Sequence, residues 1–168
     1  MRNPNSRITA SARALALSLA FVFTLSCATP GNKAGDDQAA TDAIRQQITK
    51  YTAALDAADI AMASQVWRTS PQVSFIHPGG HAHGWEEIKG IYQFFGSSFS
   101  ERKLTARDVS VRVNGGTAWA EFYWHFAGKQ SKDGSTVQTD GRETQIYEQA
   151  GNRWELVHAH YSSPVTAP

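Results

Sequence analysis

The segment VSVRVNGGTAWAEFYWHFA, residues 109–127, decides the fold. Val109, Val111 and Val113 alternate with Ser110 and Arg112, a period of two that marks a strand with one buried face. Asn114-Gly115-Gly116 then supplies residues that tolerate positive φ, so the chain turns back into a second strand, Thr117–Ala127. That strand is apolar or aromatic at both parities, which predicts a central strand covered on both sides.

Toward the C terminus, Lys132-Asp133-Gly134 makes the next turn, Thr136–Glu148 a third strand, Ala150-Gly151-Asn152 another turn and Arg153–Tyr161 the last strand. Toward the N terminus the period becomes helical. Trp85, Ile88, Tyr92, Phe95 and Phe99 share one face of a helix that follows Gly84. Val73–His77 is extended and ends at Pro78-Gly79-Gly80. Ile60–Trp67 reads as a short helix broken at Thr69-Ser70-Pro71, because proline removes a donor and restricts its predecessor. Ile44, Ile48, Tyr51 and Leu55 recur at three- and four-residue steps, the apolar face of a first helix from about residue 39 to 55. Helices followed by an antiparallel meander predict an α+β fold. The expected form is a curved antiparallel sheet with N-terminal helices packed on its concave face, enclosing a conical pocket.

The 168 residues suffice for one domain plus a targeting segment. At 41% hydrophobic residues the chain can bury a core. Sixteen basic and fifteen acidic residues balance to +1. Three of the sixteen, Arg2, Arg7 and Arg13, precede Cys27 and no acid does, so the remainder carries a net −2. No basic stripe remains for phosphates, which excludes nucleic acid as a partner. The lone Cys27 excludes a disulfide framework and any cysteine-rich zinc site.

Residues 1–13 are basic, and Ala14 to Leu25 form an apolar run of about a dozen, too short to span a bilayer. Thr24-Leu25-Ser26-Cys27 resembles a lipobox, the site at which a lipoprotein cysteine is acylated and becomes the first residue. The expected organisation is a lipoprotein-type signal peptide over 1–27 with Cys27 as lipidation site, a flexible tether over 28–38, the domain over 39–163 and a tail over 164–168. Pro and Gly interrupt the small, polar tether. Ala28 after the cysteine resembles an outer-membrane sorting signal, so the protein is expected to be exported and to face the periplasm. Its only expected tie to the membrane is the lipid. An ordinary signal peptide cut after Ala28, releasing a soluble periplasmic protein, is the alternative.

Over roughly Gln38 to Ser163 the chain resembles the nuclear transport factor 2-like superfamily, in its SnoaL-like branch. Glu143-Thr144-Gln145, Gly151-Asn152-Arg153-Trp154 and Val157-His158-Ala159-His160-Tyr161-Ser162 resemble the hub (association) domain of calcium/calmodulin-dependent kinase II. In that domain an arginine follows Glu-Thr and, in some members, another follows the second histidine, to line a carboxylate-binding pocket. Here those places hold Gln145 and Tyr161, so the resemblance does not imply an anionic ligand. Tyr51 to Asp59 and Phe75-Ile76-His77-Pro78-Gly79-Gly80 resemble two segments of ketosteroid isomerase. That resemblance puts Tyr51 at an oxyanion-hole tyrosine, His77 at the catalytic aspartate and Tyr161 at a pocket tryptophan. The isomerase's protonated aspartic acid falls on Gly141, which has no donor to offer.

Tyr51 lies on the apolar helix face, so its hydroxyl is expected inside the cone, either donating to a developing enolate oxygen or bonded to a core neighbour. His77 titrates in the range of a general base, and its other reading is a structural histidine at a strand end. Strand parity puts Glu143, Gln145 and Tyr147 on the pocket side. Gln145 is expected to orient a ligand, because an amide both donates and accepts. Glu143 is expected near the pocket wall, either paired with a donor or raised in pKa by burial, with Trp67 beside it. His158 and His160 point to the convex face, toward a subunit interface. Neither a metal site nor a cofactor is expected. Three functional readings follow. The first is a lipid-anchored domain binding a small, largely apolar molecule. The second is an acid–base isomerase, cyclase or hydrolase using His77 and Tyr51, and the third a non-catalytic oligomeric hub. A homodimer or larger homo-oligomer through the convex face is expected, since both sides of the sheet are rich in aromatics.

Overall fold

The computed structural model describes residues 33–163. The signal segment, Cys27, the start of the expected tether and the tail lie outside the described residues. In chain order the elements are α1 (Lys33–Ala57), α2 (Ile60–Ala63), β1 (Ser74–His77), β2 (Gly80–His83), α3 (Gly84–Ser98), β3 (Phe99–Asn114), β4 (Thr117–Gln130), β5 (Thr136–Ala150) and β6 (Arg153–Ser162).

The strands form one open sheet in the order β2-β1-β6-β5-β4-β3. The meander β3 to β6 is antiparallel, but β1 runs parallel to β6, with Phe75 opposite Ala159 and Ile76 opposite His160. The sheet is therefore mixed, which corrects the expectation of a purely antiparallel one. The physical reason is that β1 enters from α2 as a separate hairpin with β2 and fills the free edge of β6, instead of extending the meander. Three residues link α3 to the inner layer: Ile88, Tyr92 and Gly84 are buried, and Gly84 N–H donates to Val73 O at 2.7 Å. Gly84 has φ +75°, and a Cβ there would meet the Pro71 backbone at 3.3 Å, so glycine is required at this turn.

α1 starts at Lys33, earlier than the apolar pattern indicates. Its first turns expose no apolar face. They extend a helix nucleated by the packed residues Ile44, Ile48, Tyr51 and Leu55, with side-chain links from Lys33 to Asp37 and from Gln38 to Asp42. α2 is shorter than expected. Asp59 caps it by accepting from Met62 N–H, and the chain leaves helical form so that Trp67 can bridge Leu156. β3 is longer than its valine alternation suggests and carries a register shift between Arg107 and Ser110, where Asp108 has φ +56°.

β4 alternates strictly at its centre. Ala118, Ala120, Phe122, Trp124 and Phe126 are buried, while Trp119 and Tyr123 on the other face are 36% and 48% exposed. The expectation that β4 is covered on both sides is corrected for the single chain. The core formed by α1, α3 and the inner sheet face covers only one. No described helix is long and apolar enough to cross a membrane.

Candidate functional site

Between α1, α3, the β1–β2 hairpin and the end of β6 lies a cavity of about 770 Å³. α1 contributes Tyr51 and Leu55, β1 Phe75 and His77, the hairpin Gly79 to Ala82, α3 Glu87, Gly90, Ile91, Phe94 and Phe95, and β6 Tyr161. Each position follows from local periodicity. Phe75 and His77 are two apart on β1 and share its inner face. Tyr51 and Leu55 are four apart on α1, and Ile91 and Phe95 four apart on α3. Among the described residues no lysine or arginine is in the lining. Phe94 is 58% exposed and stands beside Phe95 and Phe99.

His77 is partly buried, and its pKa lies below the usual value through desolvation first and the neighbouring His81 second. It is therefore neutral near pH 7. Its Nδ1 accepts from Gly79 N–H at 3.2 Å, which leaves the proton of the neutral ring on Nε2. The free nitrogen of His77 is thus a donor. Gly79 is pressed against this ring, since a Cβ there would come within 3.2 Å of it.

Behind the cavity sits a buried polar chain on the inner face of β5. Tyr147 Oη donates to Gln145 Oε1, and Gln145 Nε2 donates to Glu143 Oε1 at 2.7 Å. Glu143 Oε2 and Tyr51 Oη are buried without a completed hydrogen bond, and so is Trp124 Nε1. Burial pushes the Glu143 carboxyl up to about 7, against the opposing pull of the Gln145 hydrogen bond and of the nearby Tyr51 phenol. Tyr51 is raised well above its ordinary value, by burial first and by the charge of Glu143 second. Tyr92, Tyr147 and Tyr161 are raised as well, each by burial first and with Glu143 contributing. The Glu143 charge thus bears on four phenols, and among the described residues no salt bridge involves Glu143.

The cavity thus brings together Tyr51, His77 and Tyr161, but not the other three expected residues. Gln145, expected to orient a ligand, does not line it. Its amide is spent on Tyr147 and Glu143 and is fully buried. Glu143 lies behind the lining rather than in the wall. Trp67 is core: its indole N–H donates to Tyr92 Oη at 3.2 Å and its ring packs 5.8 Å from Phe75. Strand parity correctly turns Gln145 and Glu143 inward, yet Tyr51 of α1 and Tyr92 of α3 cover that level of the sheet. Conversely, Phe94 and the hairpin residues His81 and Ala82 line the cavity without a sequence signal, since β2 is too short to show a period.

Gly141 is bare because there is no room for a side chain. A Cβ there would lie 1.9 Å from Ser162 O and 2.2 Å from the Trp124 ring. Trp124 in turn stacks on Tyr161, with ring centroids 4.0 Å apart and planes 11° apart. On the outer sheet face, His158 Nδ1 and Ser74 Oγ are 2.8 Å apart, and along β2 the rings of His81 and His83 are 3.8 Å apart. Among the described residues no three metal-capable side chains converge.

The SnoaL-like domain signature matches residues 44–166. No curated protein matches the chain. A nuclear transport factor 2-like superfamily protein from Salmonella enterica serovar Typhimurium is 38% identical over 74% of this chain and 91% of its own, with a TM-score of 0.71. A hexachlorocyclohexane dehydrochlorinase (LinA type 2) is 13% identical over 78% of this chain and 89% of its own, at TM-score 0.69. The association domain of the C. elegans calcium/calmodulin-dependent kinase II is 16% identical over 76% and 98%, at TM-score 0.62. The last two share the fold alone with this chain.

Proposed function

The chain belongs to the family of SnoaL-like domains, and on that premise we propose that it binds a small, uncharged, largely apolar molecule in its cavity. The observation that carries this reading is the cavity lining itself. Its volume of about 770 Å³ falls within the roughly 300–1,000 Å³ of small-molecule sites. Phe75, Ile91, Phe94, Phe95 and Tyr161 offer an aromatic and aliphatic wall, and an anion would meet Glu87 with no lysine or arginine among the described lining residues to offset it. The His77 Nε2 proton gives the ligand one donor to point an acceptor at.

Acid–base catalysis by His77 and Tyr51, as an isomerase, cyclase or hydrolase would use it, is less well supported. A general base needs a free lone pair, and the one on His77 is engaged by Gly79 N–H. The hub reading is supported by the exposed outer face of β4. Trp119 opposes Ile146 there, and Ile146 opposes His158, a continuous patch that suits a homodimer. Residues 1–27 give the proposed site of action, on the periplasmic side of the outer membrane through a lipid on Cys27. Labelled palmitate should enter the wild type and not Cys27→Ser, and incorporation into both would defeat the anchor.

The binding reading is tested by fluorescence titration with naphthalene and 2-acetonaphthone, two uncharged aromatics of suitable size. Saturable binding, lost when Ile91→Trp fills the cavity, is expected. Binding that Ile91→Trp leaves unchanged, or no saturable binding up to the solubility limit, would refute it.

A further inference from the structure

α3 carries two faces, and its glycines tell them apart. Gly84, Ile88 and Tyr92 are buried toward the core, whereas Glu87, Gly90, Ile91, Phe94 and Phe95 line the cavity. Steps of three and four from Glu87 through Gly90 and Ile91 to Phe94 and Phe95 make the second set one continuous stripe. Two of the three glycines in the helix answer to their neighbours. A Cβ at Gly84 would meet the Pro71 backbone, and one at Gly96 would come within 3.1 Å of the Ala58 Cβ. Gly90 answers to none. Its φ lies outside the left-handed region, and among the described residues nothing lies within 4 Å of the place a Cβ would take. A glycine in a helix interior is less stable than alanine because it loses more backbone entropy on folding. This one provides neither a turn nor a close packing contact. What it leaves is a notch in the cavity wall, one turn from Glu87 and one turn from Phe94.

The surroundings of the notch restrict what can enter it. At one end Glu87 Oε2 accepts from His83 N–H at 2.7 Å, which ties the first turn of α3 to the hairpin bearing the polar lining residues His77 and His81. At the other end Phe94 and Phe95 pack edge to face, with ring centroids 5.7 Å apart. The sheet side of the cavity is aromatic and held from behind. Phe75 meets Tyr161 edge to face at 6.4 Å, Phe75 rests on Trp67, and Tyr161 stacks on Trp124. With Trp67 and Trp124 in the core, neither wall residue can retreat to make room. A methyl group added at position 90 therefore takes its volume from the ligand and not from the protein.

We propose that Gly90 is a specificity-determining residue, whose missing side chain seats the edge of a rigid planar ring against the α3 backbone. The proposal rests on the ligand-binding reading above and narrows its ligand from any small apolar molecule to one with a flat ring body, in preference to a flexible alkyl chain. A planar ring fills a notch beside aromatic walls at little conformational cost, because it has no rotors to freeze. An alkyl chain passes a bare or a methylated position equally well, since it turns about its single bonds. Alanine at position 90 thus pulls apart two properties that a purely structural glycine would move together: it stabilises the helix and obstructs the ring.

The test measures the affinities of 2-acetonaphthone and 2-nonanone for the purified protein by isothermal titration calorimetry. The two share a methyl ketone and differ in the body that carries it. Wild type, Gly90→Ala and Gly96→Ala are compared, and the melting temperature of each is recorded. Gly90→Ala should melt about 3 °C higher, as expected of alanine in a helix interior. It should weaken 2-acetonaphthone about tenfold, the effect of one overpacked methyl, and change 2-nonanone less than about twofold. Gly96→Ala should leave both affinities at their wild-type values. Equal affinity of 2-acetonaphthone for Gly90→Ala and wild type overturns the proposal, and so does an equal loss of both ketones. A lower melting temperature in Gly90→Ala also overturns it, because the glycine would then serve packing. A loss of 2-acetonaphthone binding in Gly96→Ala as large as in Gly90→Ala shows a helix-wide effect and counts against the notch in the same way. If neither ketone binds the wild type, the ligand-binding reading itself has failed and this proposal falls with it, a result distinct from binding that Gly90→Ala leaves unchanged.

Discussion

Replacing Glu143 by glutamine should stabilise the protein at alkaline pH and leave it nearly unchanged at acidic pH. The side chain is 2% exposed, accepts one hydrogen bond from Gln145 and has no cationic partner among the described residues. Burial raises its folded pKa to about 7 from an ordinary 4.5. The folded state therefore binds this proton more tightly than the unfolded state does. The associated stability is fully present below about pH 4.5 and is lost as pH rises through 7. A difference of roughly 2.5 units corresponds to about 3 kcal/mol, which for a domain of this size is roughly 10 °C in melting temperature. Glutamine keeps the shape and the acceptor for Gln145, and it cannot ionise. Urea unfolding of wild type and Glu143→Gln at pH 5 and pH 8.5 measures the effect as a difference of differences. The lowered pKa values of His77 and His158 also make stability pH-dependent, but they are common to both proteins and cancel. If the gap between the two proteins is the same at both pH values, Glu143 is not a buried ionisable group and the reasoning fails.

Three further outcomes are expected. Gly141→Ala places a Cβ 1.9 Å from Ser162 O and 2.2 Å from the Trp124 ring, so it should cost about 3 kcal/mol or more, read from the unfolding midpoint. His77→Ala should weaken 2-acetonaphthone about tenfold by removing one donor while leaving naphthalene binding and the melting temperature nearly unchanged, and titration checks both. Trp119→Glu puts a charge into the exposed aromatic face of β4 and should convert a dimer to a monomer in light scattering at tens of micromolar, whereas a wild type that is already monomeric excludes the interface.

Much of the fold was legible because it is written in short-range periods. The helical spacing of Ile44, Ile48, Tyr51 and Leu55 marks a face that is indeed buried, and the alternation along β3, with the turns at Gly115, Gly134 and Gly151, gives the meander its strands. What was not legible depends on partners distant in sequence. β1 pairs parallel with β6 across more than 80 residues, and nothing in Ser74–His77 announces a partner or its direction. The two faces of β4 are hard to tell apart in the sequence for a related reason, since Trp119 and Tyr123 are as aromatic as the buried Trp124 and only the placement of the helices distinguishes them. At the site, parity turned Gln145 inward, but it could not say that Tyr147 and Glu143 would occupy both ends of its amide. The tautomer of His77 was equally hidden, because it is set by one backbone N–H two residues on.

The stack of Trp124 over Gly141 and against Tyr161 also constrains how this sequence can change. The Trp124 ring and the Ser162 carbonyl both occupy the volume that a side chain at 141 would need, so a change at 124 or 141 is felt at the other. A side chain gained at 141 while the tryptophan remains collides with it, and a tryptophan lost while 141 stays glycine leaves Tyr161 without its stacking partner and a void beside the cavity. A carboxylic acid at 141 would have to displace the Ser162 carbonyl as well as the Trp124 ring, so loss of the tryptophan alone does not make room for it. Descendants of this chain are thereby held to a flat aromatic floor at that place, and selection for a new polar group near the cavity is steered to other positions.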